Sequence, residues 1–202
     1  LNTLKDLTFD NIYHEHYNYW SLTSLVNFFN QFNAIIYKAE KINTHGGSIR
    51  IYVSLNKKIK TDKSVNSLLK EEIEYGINKY STYENFAKKV NKIRENVIKN
   101  IKKIKENNQP LIAYGAPAKA TTSLNFFGIK DDIEFIVEDN KLKHGKYIPG
   151  VNIPIKHKKF IKDKKNTLVV MAWNFFKEIV ENNKNLSNNF INVKDLEKDK
   201  IS

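Results

Sequence analysis

The stretch that most constrains the fold is Leu111-Ile112-Ala113-Tyr114-Gly115-Ala116-Pro117-Ala118-Lys119. A short apolar run ends there in a glycine and a proline, and Leu124, Phe126 and Phe127 follow among helix-tolerant residues as far as Gly128. The pattern predicts a strand, a turn and a helix. Pro117 suits the first helical turn, where its missing N–H would have no intrahelical partner, and Gly115 permits backbone angles closed to other residues. Unpaired N–H groups at such a helix start attract anions. Lys119, with the hydroxyls of Thr121 and Thr122, would turn that attraction into a preference for phosphate. The motif matches neither G-x-G-x-x-G nor the P-loop, so an ordinary strand-to-helix turn is the alternative.

The residues after Gly128 continue the alternation. Residues 133–137 form a second apolar run ending in Glu138-Asp139, and Glu138 follows Gly115 by 23 residues. That is close to the ~20 at which Rossmann-type units place a carboxylate on a ribose hydroxyl. A loop over 140–152 carries Lys141, Lys143, His144, Lys146 and Tyr147 around Pro149-Gly150. Residues 167–172 read as a third strand, 174–182 as a helix and 190–193 as a last strand. Alternating strand and helix predicts an α/β fold with a Rossmann-like parallel sheet flanked by helices.

Upstream the signals differ. Residues 9–20 pack two histidines, two carboxylates and three tyrosines into one aromatic segment, after which Ser21 can cap a helix bearing Leu22, Leu25, Val26, Phe29 and Phe32. Runs over 34–42 and 48–55, joined by His45-Gly46-Gly47, predict a β-hairpin. A helix is expected over 64–76 and a long amphipathic helix over 81–108, whose lysine face is a solvated surface rather than a nucleic-acid or membrane face. Three parts result: 1–56, a helix and hairpin; 57–109, a helical connection; and 110–202, the Rossmann-like domain.

Composition narrows the class. With 41% hydrophobic residues the 202-residue chain can bury one good core and part of a second. No apolar run approaches the roughly 20 residues that span a bilayer, so no membrane partner is expected and a cytoplasmic address is. Zero cysteines exclude disulfides, thiolate zinc ligands and a cysteine nucleophile. The net charge of +12 invites a nucleic-acid reading. Against it, arginine, the better base reader, is limited to Arg50 and Arg94.

Several ordered stretches together resemble one family, the S-adenosylmethionine-dependent C-methyltransferases of deoxysugar biosynthesis. They are Phe9-Asp10-Asn11-Ile12-Tyr13-His14-Glu15-His16 with Tyr19 and Ser21-Leu22, then His45-Gly46-Gly47-Ser48-Ile49-Arg50, and Tyr114-Gly115-Ala116-Pro117-Ala118-Lys119 with Leu124-Asn125. Lys143 with Gly145-Lys146, Pro149-Gly150, Ile153-Pro154-Ile155 and Ala172-Trp173-Asn174 complete the set. Departures include Ala120-Thr121 where relatives show Gly-Asn, Glu138 where Asp is usual, Lys141 for Pro and His144 for Gln. Nothing here resembles the family's cysteine-rich zinc segment or its glycine-rich S-adenosylmethionine loop, both upstream in relatives. The resemblance therefore implies a C-terminal part in which 1–56 is the tail of the methyltransferase domain, with cofactor, and zinc if present, bound elsewhere. Hairpin strands cut from their sheet would expose edges suited to homo-oligomer pairing.

Carbon methylation beside a ketone needs a base for a weakly acidic C–H and a donor to the enolate oxygen. Histidine is the default base, tyrosine can donate to a developing oxyanion, and glutamate can orient an imidazole or act as a base itself. The resemblance implies His16 as base, with Tyr13 and Glu15 assisting. A helix would align Tyr13 with His16, and a strand His14 with His16. The second geometry supports a rival metal site at His14 and His16, with His45 as a third ligand. A nucleotide-linked keto sugar is the implied substrate, held by Tyr114, Gly115, Ala116, Pro117, Lys119, Asn125, Glu138, Lys143, Trp173 and Asn174. A nucleotide-binding module without chemistry and a basic nucleic-acid-binding domain are the alternatives, as is a purely structural aromatic core for the histidines.

Overall fold

A computed structural model describes residues 1–44, 47–106 and 111–199. The chain divides into two compact units, Leu1–Val90 and Asn91–Ser202. The His45-Gly46 turn lies outside the described residues.

The first unit begins with a short helix, α1 (Asn2–Lys5), and a 3-10 turn at Phe9–Asn11, followed by helix α2 (Leu22–Gln31). Ser21 starts α2 as expected, its hydroxyl accepting from the Ser24 N–H while Ser24 returns a bond to the Ser21 N–H. Strands β1 (Ile35–Ile42) and β2 (Ser48–Ser54) pair antiparallel as the predicted hairpin. Helix α3 (Lys63–Tyr75) is capped by Asp62 and ends at Gly76, whose φ of 83° needs a residue without a Cβ. Leu22, Ile36, Ala39, Val65 and Leu68 form this unit's core. Among them sits Glu72, fully buried on the apolar face of α3. Its carboxylate accepts from the Leu22 and Thr23 N–H groups, both at 2.8 Å, and from the Thr23 hydroxyl at 2.7 Å. Helix α4 (Tyr80–Lys105) continues from this unit into the second.

In the second unit, β3 (Leu111–Tyr114), α5 (Ala118–Phe127), β4 (Ile136–Val137), β5 (Ile155–Lys156), β6 (Thr167–Val170), α6 (Phe176–Asn182), β7 (Asn189–Asn192) and α7 (Val193–Leu196) follow in order. All five strands are parallel, arranged β5-β4-β3-β6-β7. The chain thus starts at the centre, moves one way through β4 and β5, then returns to β3's other side for β6 and β7. This is the predicted α/β fold. The second strand is shorter than expected, yet its pairing starts earlier, because the Glu134 N–H already donates to the Leu111 carbonyl. Residues 173–175 wind as a 3-10 turn, so the helix expected from 174 starts at Phe176. Ile112, Tyr114, Phe135, Val137, Leu168 and Val170 make the core, with Phe176, Ile179 and Phe190 packed on it.

Candidate functional site

In a doubly wound sheet ligands bind outside the carboxyl ends of the strands, where the connections diverge. Here that point lies between β3 and β6. Gly115 leaves β3 with φ of 91°, and a Cβ on it would meet the Ala172 Cβ at 3.0 Å, so both backbone angle and space demand glycine. Pro117 flanks the first turn of α5, and Gly128 ends the helix in the left-handed conformation. Trp173 follows β6, with the Lys119 ammonium 4.8 Å and the Lys194 ammonium 5.3 Å from its ring centroid. Cations at that range are held by the ring's quadrupole. Lys143 reaches the same turn, donating to the Ala116 carbonyl at 2.8 Å.

Glu138 is tied to the glycine turn from the β4 side. Its Oε2 accepts from the Ala116 N–H at 2.9 Å, its Oε1 accepts from the Asn140 N–H at 3.0 Å, and Lys143 stands 3.6 Å away. One amide of the glycine turn is therefore already held by a carboxylate. The cations nearest this turn are Lys119, Lys143 and Lys194. Tyr114 is buried at the end of β3 and its hydroxyl donates to Asp139 at 2.8 Å. Burial first, and the Asp139 carboxylate second, push its phenol well above the ordinary range. Asn125 lies about 10 Å along α5 from the helix start. Both hydrogens of its side-chain amide are used, on the Thr121 and Pro149 carbonyls at 2.8 and 2.9 Å. It braces the 149–150 loop against α5.

The structure thus brings Gly115, Ala116, Pro117, Lys119, Glu138, Lys143 and Trp173 to the strand ends, with Asn174 next to Trp173 and exposed. Tyr114 serves from inside the sheet, and Asn125 stands apart. Lys194 and Asp139 were not singled out from the sequence. Lys194 has no local motif, and only the parallel placement of β7 beside β6 brings it to the tryptophan.

The second set of candidates belongs to the first unit. Residues 13–16 form neither a helix nor a strand but a turn closed by the His16 N–H on the Tyr13 carbonyl at 2.9 Å. The turn stacks the Tyr13 and His16 rings, centroids 4.1 Å apart. His16 Nδ1 lies 2.8 Å from the Asn11 carbonyl. A carbonyl only accepts, so Nδ1 carries the proton and Nε2 holds the basic lone pair of the neutral ring. The Tyr19 hydroxyl donates to the same carbonyl at 3.0 Å. Orientation of the imidazole thus falls to Asn11, whereas Glu15 stands 3.8 Å from His14. Burial first, then Glu15, raises the Tyr13 phenol above its ordinary range and keeps it a donor. His16, Asn11, Tyr19, Trp20 and Ser48 line a cleft of about 550 Å³. Among the described residues no group of three His, Cys, Asp or Glu could hold a metal ion, and His45 lies outside them. Nor is any described helix long and apolar enough to cross a membrane.

A central strand, a glycine turn and the reversal of strand order define a Rossmann-like α/β domain. Residues 43–192 match the model of the C-methyltransferase C-terminal domain, and the chain belongs to that family. It is also similar to the C-methyltransferase NovU of Streptomyces niveus, at 30% identity over 189 residues. That alignment takes in 92% of this chain and 45% of the relative, so the chain spans less than half of the relative's length.

Proposed function

We propose that this chain is the part of an S-adenosylmethionine-dependent C-methyltransferase that holds a nucleotide-linked keto sugar and removes the proton from the carbon to be methylated. One observation supports the substrate half above others: the strand-order reversal falls at Gly115 and Trp173, and the cations Lys119, Lys143 and Lys194 converge on it. A diphosphate suits that charge. The Glu138 carboxylate, with about four lone-pair sites and two backbone donors on them, retains capacity for a ribose hydroxyl.

For the chemistry, His16 Nε2 accepts the proton of the C–H beside the ketone. The bonding pair moves into the carbonyl, and the Tyr13 hydroxyl donates to the resulting enolate oxygen. The residues present do not fit S-adenosylmethionine. The glycine turn beside β3 has an amide filled by Glu138 and is ringed by ammonium groups, which would repel a sulfonium. We assign the cofactor to residues outside this chain and expect the chain alone to be inactive. In the same reading 1–56 closes a methyltransferase domain, 57–109 connects, and 110–202 holds the substrate; among the described residues the hairpin pairs with no further strand, and its edges are where one would pair.

Isothermal titration with thymidine diphosphate and with single-stranded DNA at two salt concentrations tests the substrate half. Saturable nucleotide binding, weakened about tenfold by Lys119→Ala, is the expected result. Salt-sensitive DNA binding without nucleotide binding would overturn it.

A further inference from the structure

We infer that a hollow beside β5, separate from the β3–β6 crevice, is a second anion site for a phosphate group. The hollow has a volume of about 680 Å³ and is lined by His144, Lys146, Lys156, His157, Lys159 and Phe160, with no aspartate or glutamate in its wall. At the same end of the sheet Lys143, Lys158 and Lys194 each have a carboxylate within salt-bridge reach. Among the described residues Lys146, Lys156 and Lys159 have none. Three ammonium groups gathered on one concavity repel one another, and an anion placed among them removes that cost.

The aromatic wall is consistent with this. The Lys156 ammonium lies 4.6 Å from the Phe135 centroid and 5.7 Å from that of Phe160, and Lys159 lies 5.6 Å from Phe160. Ring faces stabilise cations that lack a carboxylate partner, and the low local dielectric beside them strengthens attraction for an incoming anion. The two imidazoles stand edge to face with centroids 5.3 Å apart. His157 Nδ1 accepts from the Lys159 N–H at 3.0 Å, so its proton sits on Nε2. His144 donates through Nε2 to the Glu138 carbonyl at 2.7 Å, which fixes that ring in place. Lysine point charges and the His157 Nε2–H donor around a concavity suit a tetrahedral, multiply charged oxyanion. Arginine, the better partner for nucleic acid, is absent from the wall. This inference does not rest on the proposed reaction.

The test uses inorganic pyrophosphate and thymidine diphosphate as probes. In titrations of the chain, pyrophosphate should bind saturably and shift the imidazole resonances of His144 and His157. The double variant Lys146→Ala/Lys159→Ala should keep its circular dichroism and bind about tenfold more weakly or worse. Because the β3–β6 crevice can also take a diphosphate, binding at the hollow is read from the His144 and His157 shifts alone, which Lys119→Ala should leave intact. Competition between the probes at the shifted histidines would identify the phosphate as the nucleotide's own; independent binding would identify a free phosphate or diphosphate; either supports the site. No saturable shift, an undiminished shift in the double variant, or a shift abolished by Lys119→Ala would overturn it. The last result would place the anion at the β3–β6 crevice.

Discussion

His16 owes its orientation to a backbone carbonyl. The Asn11 carbonyl fixes the proton on Nδ1 and takes the Tyr19 hydroxyl as well, so a four-residue turn and one 3-10 turn set the tautomer that leaves the lone pair on Nε2. At Tyr114 the consequence is measurable. Its folded pKa is raised by burial and by Asp139, so its stabilisation is fully present below the ordinary phenol pKa of about 10 and is lost as pH rises above that toward the folded value. Absorbance titration at 295 nm should find one phenol that ionises well after solvent-exposed ones, and Tyr114→Phe should remove it; ordinary titration of that phenol would contradict the account. Gly115 was legible because an apolar run ending in Gly and Pro has few backbone solutions. The Glu138 contact was not, since its distance from the turn depends on how β3 and β4 register, and a backbone acceptor such as Asn11 leaves no mark in the side-chain sequence.

Among the elements, α2 and α3 show how a polar residue on an apolar face can be structural. Val65, Leu68 and Glu72 share one face of α3, and Glu72 reaches the first amides of α2, where the helix dipole also favours a negative charge. Removing it leaves buried N–H groups unpaired. Glu72→Ala should lower stability by about 2–4 kcal/mol in urea unfolding, and Glu72→Gln, which keeps an acceptor, by less. Equal stability of Glu72→Ala and the parent would show the contact to be dispensable. The helices and the hairpin were legible from period and capping residues: Ser21, Gly76 and Gly128 all stand at element ends. The two-residue strand β5 was not, because its pairing rather than its own sequence makes it a strand, and β4, expected over 133–137, is shorter than its apolar run for the same reason.

At the scale of the whole molecule, the two units divide the candidate residues between them. The first holds His16, Tyr13 and the 550 Å³ cleft; the second holds the parallel sheet with its lysines at the strand ends. Strand alternation from Leu111 onward made the α/β class legible, while strand order, and with it the position of the crevice, required the register of five strands. Part of the +12 charge gathers at Lys119, Lys143 and Lys194 beside the turn, and not only on solvated helix faces. The most direct test of the central claim takes the full-length enzyme that contains this chain and compares it with its His16→Gln variant, measuring both methylation of a nucleotide-linked keto sugar and nucleotide affinity. The account predicts methylation abolished with affinity near normal; wild-type turnover in the variant would contradict it.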